Sequence, residues 1–204
     1  MKSERVFTFG YSGFDIPELL TVLKTNKINA VIDVRSQPYS KYFQNYNQEV
    51  IKNVLSKNNI AYKNYANEFG ARQLDKRYYY KGYLDFDLFS LSPQFQDGFN
   101  KIKEATGSNY VFAFMCAEKD PAECHRANMI TKYFYNNGFD VIHLLPNGKT
   151  ITQADIENSL LQKYFPNRAQ MSMFENFDDK ELIQKAYQMR NAEIGYREEK
   201  GEDF

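Results

Sequence analysis

The stretch "AVIDV", Ala30 to Val34, is apolar at every position except Asp33. A strand with one wet face would alternate apolar and polar residues, whereas an unbroken apolar run suits an interior strand of a parallel sheet, covered on both faces. Similar runs recur on either side of it: "RVFTF" (5–9), "IAYKNY" (60–65), "YVFAFMC" (110–116) and "DVIHLL" (140–145). Amphipathic stretches of helical length separate them, which is the pattern of a parallel sheet with helices on both faces.

Helix signals fit the same plan. Asp15 and Glu18 bracket a start, followed by the apolar face Leu19, Leu20, Val22 and Leu23. Asn47 opens "NQEVIKNVLSKNN", and Ser92 with Pro93 opens a helix that fades near Thr106-Gly107. A further helix from about Ala122 ends at "NNG", where Gly138 supplies the left-handed cap. Thr152 and Asp155 open another, which runs to Phe165 and stops at Pro166. Residues 66–91 form a long tyrosine-rich connection without a clear period, a candidate lid. The expected fold is a three-layer α/β/α domain over residues 1–165, with a mostly parallel central sheet of about five strands. A linker and a C-terminal helical extension follow over 166–204.

The 204 residues and 43% apolar content suffice for one domain with a core. Twenty-six basic and twenty-six acidic side chains cancel, so no global field draws the chain to nucleic acid or an anionic membrane. The segment "MKSERVFTFG" lacks the apolar core of a secretory signal, and no run reaches the ~20 apolar residues of a membrane span. Only Cys116 and Cys124 are available for disulfides, too few for a stapled secreted scaffold. A soluble cytoplasmic protein with free thiols is expected.

In open parallel sheets ligands bind beyond the carboxyl ends of the strands. The polar residues of this chain collect there: Gly10 and Tyr11 after the first strand, Asp33 and Arg35 after the second, Glu68 and Arg72 after the third, Cys116 and Glu118 after the fourth. Cys124, His125 and Arg126 stand at the start of the next helix, where unpaired N–H groups favour an anion. A thiol at that position beside an arginine has its pKa lowered. The competing reading is a packed thiol for either cysteine, a structural ion pair for Glu118 and Arg126, and a loop-closing pair for Asp33 and Arg35. His143, inside the fifth strand, is expected to be a hydrogen-bonded interior histidine.

No metal is expected. Cys116, Cys124 and His125 nominally supply three ligands, but their spacing is not that of paired zinc knuckles, and adjacent Cys-His side chains seldom point at one ion. "FGYSGF" carries two glycines where a dinucleotide loop needs three, so no cofactor is named.

Taken together, "TFGYSG", "VIDVRSQP", "NEFGARQ", "CAEKDPAECHR" and "VIHLLPNG" resemble, in order and spacing, the bacterial family called domain of unknown function 488, over about residues 5–165. The tail "AYQMRNAEIGYRE" is similar to extensions on its members. The resemblance implies an α/β domain whose motif residues gather at one site: Gly10, Asp33, Arg35, Glu68, Gly70, Arg72, Cys116, Glu118, Cys124, His125 and Arg126. Tyr11 stands where many relatives have histidine. "VIDVR" is also similar to rhodanese-like sulfurtransferases, whose nucleophilic cysteine sits on a compact loop closed by arginine. Here Cys116 lies ten positions before Arg126 and Cys124 two, so sulfur transfer is not carried over.

Three functions are consistent with these residues. The first is an enzyme acting on a nucleotide or nucleic-acid component. In it Arg35, Arg72 and Arg126 bind an anion with Gly10, Tyr11 and Asp33 lining the site, while Cys116, Glu118, Cys124, His125 and Glu68 carry the chemistry. The second is a non-catalytic module that binds an anion or nucleic acid, and the third a thiol redox sensor. Beyond the domain, "QMSMF" (170–174) resembles the pentapeptide with which bacterial DNA-repair and replication proteins dock on the sliding clamp. That resemblance implies a partner bound through Gln170, Met171, Met173 and Phe174, and a link to DNA repair. The alternative is that these side chains dock the tail on its own domain.

Overall fold

The computed structural model describes residues 4–168 and 178–197. Six strands form the main sheet: β1 (Arg5–Gly10), β2 (Ala30–Asp33), β3 (Ala61–Asn64), β6 (Phe112–Cys116), β7 (Asp140–Leu144) and β8 (Thr150–Thr152). Their spatial order is β3-β2-β6-β1-β7-β8. The first five are parallel, and β8 pairs antiparallel with β7. A separate short hairpin joins β4 (Tyr79–Tyr80) to β5 (Tyr83–Leu84).

The apolar runs divide between two cores because successive strand side chains point to opposite faces. Phe112, Phe114 and Cys116 of β6 face α5 (Pro93–Thr106) and α6 (Thr131–Asn136), packing with Phe95, Phe99, Ile102 and Phe134. Ala113 and Met115 face the opposite way, toward Leu19 and Leu23 of α1 (Ile16–Thr25) and Ile51 and Leu55 of α2 (Gln48–Ser56). The result is the three-layer α/β/α arrangement expected from the sequence. The helix after β1 covers one face and the helix after β6 the other. The carboxyl ends of these neighbouring strands therefore flank a topological switch point, the usual ligand crevice of such sheets.

The caps at Asp15, Ser92 and Thr152 form as expected, the last as a full capping box with Asp155. Gly138 adopts φ +88. Four details differ from expectation. Asn47 precedes α2 without capping it, because its Oδ1 accepts instead from the Ser40 amide at 2.6 Å. Strand β8 was hidden by its three-residue length; the turn at Pro146–Gly148, with Asn147 and Gly148 both left-handed, folds it back onto β7. The helix expected from Ala122 is interrupted: a 3-10 turn at Pro121–Glu123, an extended Cys124, a π turn over Arg126–Ile130, and only then α6. Finally, residues 66–91 wrap the core and are no lid. They hold α3 (Ala66–Phe69) and α4 (Phe86–Ser90), and Phe69, Leu84, Phe86 and Phe89 are all buried.

Helix α7 (Gln153–Tyr164) and the final helix α8 (Asp179–Ile194) pack together through Ile156, Leu160, Ala186 and Tyr187. Asn191 of α8 accepts from the Phe86 amide at 2.8 Å and donates to the Leu84 carbonyl at 2.9 Å, tying the last helix to the wrapping segment. Gln170, Met171, Met173 and Phe174 lie outside the described residues. Among the described residues no helix is long and apolar enough to cross a membrane.

Candidate functional site

Strand β6 delivers Cys116 to the crevice, and the chain then turns sharply over the end of β1. That turn requires glycine at position 10: a Cβ there would come within 1.7 Å of the Glu118 carbonyl oxygen. Gly10 therefore admits a crossing backbone. Arg126 holds the turn from below. Its buried guanidinium donates to the carbonyls of Glu118 (2.6 Å) and Lys119 (3.2 Å) and to Thr8 Oγ1 (3.3 Å). Through these three bonds Arg126 positions the loop.

The turn brings four reactive groups together. Each cysteine sulfur lies 3.0 Å from Glu118 Oε2. His125 Nδ1 is 3.6 Å from the Cys116 sulfur and 3.8 Å from that of Cys124. All four donor atoms fall within 4.8 Å of one another. The thiols and imidazole are buried, while Glu118 is exposed on its outer side and turns Oε2 inward. Glu118 thus stands at the mouth. His125 Nε2 is 3.2 Å from the Val34 carbonyl, an acceptor only, so the ring carries its proton on Nε2 and presents Nδ1 to the sulfurs.

The adjacent Cys124 and His125 share one target for a backbone reason. Cys124 is extended (φ −129, ψ 143) and His125 helical (φ −59, ψ −25), and this change of conformation cancels the alternation that would point neighbours apart. The objection raised against a common ion by their adjacency does not hold in this fold. Cys124 also accepts the Arg126 amide through sulfur at 3.4 Å, acting as the cap of the following turn.

Burial raises the Cys116 thiol well above its ordinary range, and the nearby Cys124 and Glu118 add to the shift. For Cys124 burial acts in the same sense, but the Cys116 hydrogen bond and the charges of Arg126 and His125 outweigh it and hold this thiol well below its usual value. Burial alone would lower His125; the negative charge of Cys124 raises it. Glu118 is raised by burial and then by Cys124. The cluster thus favours a thiolate–imidazolium pair at Cys124 and His125.

Asp33, Arg35 and Tyr11 form a second polar cluster on the opposite face of the sheet. Asp33 accepts from Arg35 Nε at 2.8 Å, Arg35 Nη2 at 2.5 Å and Tyr62 OH at 2.7 Å. The Arg35 guanidinium lies 5.0 Å over the Tyr11 ring, which in turn stacks on Tyr46 at 4.7 Å. Burial works against the Arg35 charge, but the Asp33 bond and charge prevail and raise its pKa. Arg35 Nη1 is buried without a hydrogen-bond partner. The two clusters meet at Val34, whose carbonyl faces His125.

Arg72 is exposed near the end of β2, donating from its amide to Ser36 Oγ at 2.8 Å and from Nη1 to Gln37 Oε1 at 2.9 Å. Glu68 does not join the site: its Cβ packs against Gly98 of α5. The catalytic part expected of Glu68 is set aside, since α3 turns this residue toward α5. His143 is an interior histidine, bonded to Thr8 Oγ1 at 2.8 Å and Gln153 Oε1 at 3.1 Å. Sequence reasoning missed Thr8 and the Val34 carbonyl. A polar residue inside the apolar run of β1 was the available signal for Thr8; a main-chain carbonyl leaves none.

The family model described as Domain of unknown function DUF488 matches residues 15–133, a span that contains every motif residue of the site except Gly10 and Tyr11. Comparison with curated proteins and with solved structures finds no match. The match covers more than half of the chain, which therefore belongs to the DUF488 family.

Proposed function

We propose that the protein is an enzyme acting on a nucleotide or nucleic-acid component, with the Cys116, Glu118, Cys124 and His125 cluster as its reaction centre. The observation that carries this reading is the convergence of four reactive side chains at the switch point between β1 and β6. Glu118, at the mouth, is the group that meets substrate; the thiols and imidazole beneath it shape the centre. Two arginines at the carboxyl ends of the strands, Arg35 on the face away from the cysteines, support an anionic substrate. Arg35 retains an unpartnered Nη1, and Arg72 stands exposed beside the end of β2.

The test is to incubate the full-length protein with nucleoside mono-, di- and triphosphates and single-stranded oligonucleotides, and to follow conversion by mass spectrometry. Wild type converts at least one of them, and Glu118→Gln slows it by about 100-fold or more. Tight binding without conversion, unaffected by Glu118→Gln and Cys124→Ser, replaces the enzyme with a binding module.

A second reading, thiol redox sensing, is favoured by the two free sulfurs lying within 4.8 Å of each other. It predicts a reversible mass loss of ~2 Da on mild oxidation. Free thiols also suit a reducing, cytoplasmic setting.

The setting we propose is DNA repair, with the sliding clamp as partner through Gln170, Met171, Met173 and Phe174. A peptide spanning "AQMSMFEN" binds the host clamp, and the same peptide with Gln170→Ala and Phe174→Ala does not; equal behaviour of the two ends the idea.

A further inference from the structure

We propose that Cys116, Cys124, His125 and Glu118 bind one zinc ion, with Glu118 as the exchangeable ligand. The inference deepens the reading of this cluster as a reaction centre and rests on the same residues, but it is testable without turnover.

The geometry is that of a nearly assembled tetrahedral site. Zn–S bonds of about 2.3 Å and Zn–N bonds of about 2.0–2.1 Å set sulfur–nitrogen edges of about 3.5 Å. The two observed edges from His125 Nδ1 are 3.6 and 3.8 Å. The Glu118 oxygen, at 3.0 Å from each sulfur, is closer than a tetrahedral edge. A modest outward movement brings it to position, and its exposed side leaves room for that movement.

The surroundings are those of ligands held for a metal. The Val34 carbonyl accepts from Nε2–H and so turns Nδ1 toward the sulfurs, the usual outer-shell arrangement for a metal-binding histidine. The Arg126 amide points at the Cys124 sulfur, and Asn128 Nδ2 donates to the Cys124 carbonyl at 2.9 Å. All four side chains aim a donor atom at one point, and a dication would take the place of the protons they now share.

The donor set also selects the ion. Sulfur and imidazole favour zinc over magnesium or calcium, which take oxygen ligands. Three buried ligands with one exposed carboxylate match the catalytic rather than the closed structural class, since displacement of Glu118 frees a position for water or substrate. Zinc in that position would lower the pKa of a bound water. Binding releases the Cys116 thiol proton and the His125 Nδ1 proton to solvent.

The experiment uses the full-length chain purified without chelator. Elemental analysis after gel filtration gives about one zinc per chain, falling at least tenfold in Cys124→Ser. Because that variant can lose its fold, the same question is put to wild type. After removal of zinc by chelation, added cobalt(II) produces a thiolate-to-metal charge-transfer band in the near ultraviolet, and zinc slows alkylation of both cysteines at least tenfold. Zinc below a tenth of an equivalent, no cobalt band and alkylation indifferent to zinc would overturn the inference. A chain that holds zinc but converts no nucleotide keeps the metal site and ends the enzyme reading; conversion without zinc does the reverse.

Discussion

Arg126 donates from Nη1 to the Glu118 carbonyl at 2.6 Å while its side chain is fully buried. A main-chain oxygen thus receives the shortest hydrogen bond of this side chain. The contact is possible because Gly10 leaves the space through which the Glu118 backbone passes, and it sets the height at which the Glu118 carboxylate meets both sulfurs.

Arg126→Met removes three hydrogen bonds and leaves the Glu118 and Lys119 carbonyls without this donor. A loss of about 3 kcal/mol or more is expected in urea unfolding, at about 1–3 kcal/mol for each buried group left unpaired. Arg126→Lys keeps the charge but loses the fork, and an intermediate loss is expected. A methionine variant as stable as wild type would contradict this account.

Gly10→Ala forces a methyl group into the Glu118 carbonyl. The expected cost is about 2 kcal/mol or more, since the obstruction is backbone. Gly107→Ala is the control: with φ −67 and its nearest neighbour at 3.4 Å, it should be neutral or stabilising by up to about 1 kcal/mol. Thermal melts of the two variants distinguish a steric requirement from a general intolerance of alanine.

Burial, reinforced by the charge of Arg126, lowers the pKa of His143 from 6.5 to about 3. The unfolded chain therefore binds a proton between these values that the folded chain does not. The resulting stabilisation is complete above about pH 6.5 and is lost as pH falls toward 3, with a slope of about 1.4 kcal/mol per pH unit. His143→Gln should flatten the stability curve over that window, so that the gap between variant and wild type changes with pH. Parallel curves for wild type and variant between pH 6 and 4 would show that this histidine does not carry the effect.

Asn191 satisfies the Phe86 amide and the Leu84 carbonyl together. Asn191→Ala strands both groups and is expected to cost about 2–4 kcal/mol. Hydrogen exchange should accelerate at Phe86 relative to Phe114 in β6. Unchanged exchange at Phe86 would mean that α8 does not brace the wrapping segment.

Glu68→Gln should leave zinc content, thiol protection and stability unchanged, the last within about 0.5 kcal/mol. Glu118→Gln should weaken zinc retention. An equal effect of both substitutions would return Glu68 to the site.

The layers, the parallel strands and the principal caps were legible because apolar periodicity and short-range capping are local properties of the chain. Cys116, Glu118, Cys124 and His125 were legible as a group because they lie within ten residues of one another. Other parts were not. Glu68 carries the right chemistry at the right strand end, yet a single turn of α3 rotates it onto Gly98. Arg126 and Gly10 read as ligand contacts, and no local pattern showed that they also hold and admit a crossing backbone.

The sequence by itself determined which segments become strands and helices, and which edge of the sheet gathers reactive residues, because burial follows periodicity and topology follows the alternation of elements. Only the tertiary structure decided that Asp33 and Arg35 face away from the cysteines, that the Val34 carbonyl orients His125, and that two adjacent residues aim at one point. Those outcomes depend on backbone torsions at Cys124 and His125 and on contacts between atoms as many as 118 positions apart, as between Thr8 and Arg126, and no local pattern of residue types encodes them.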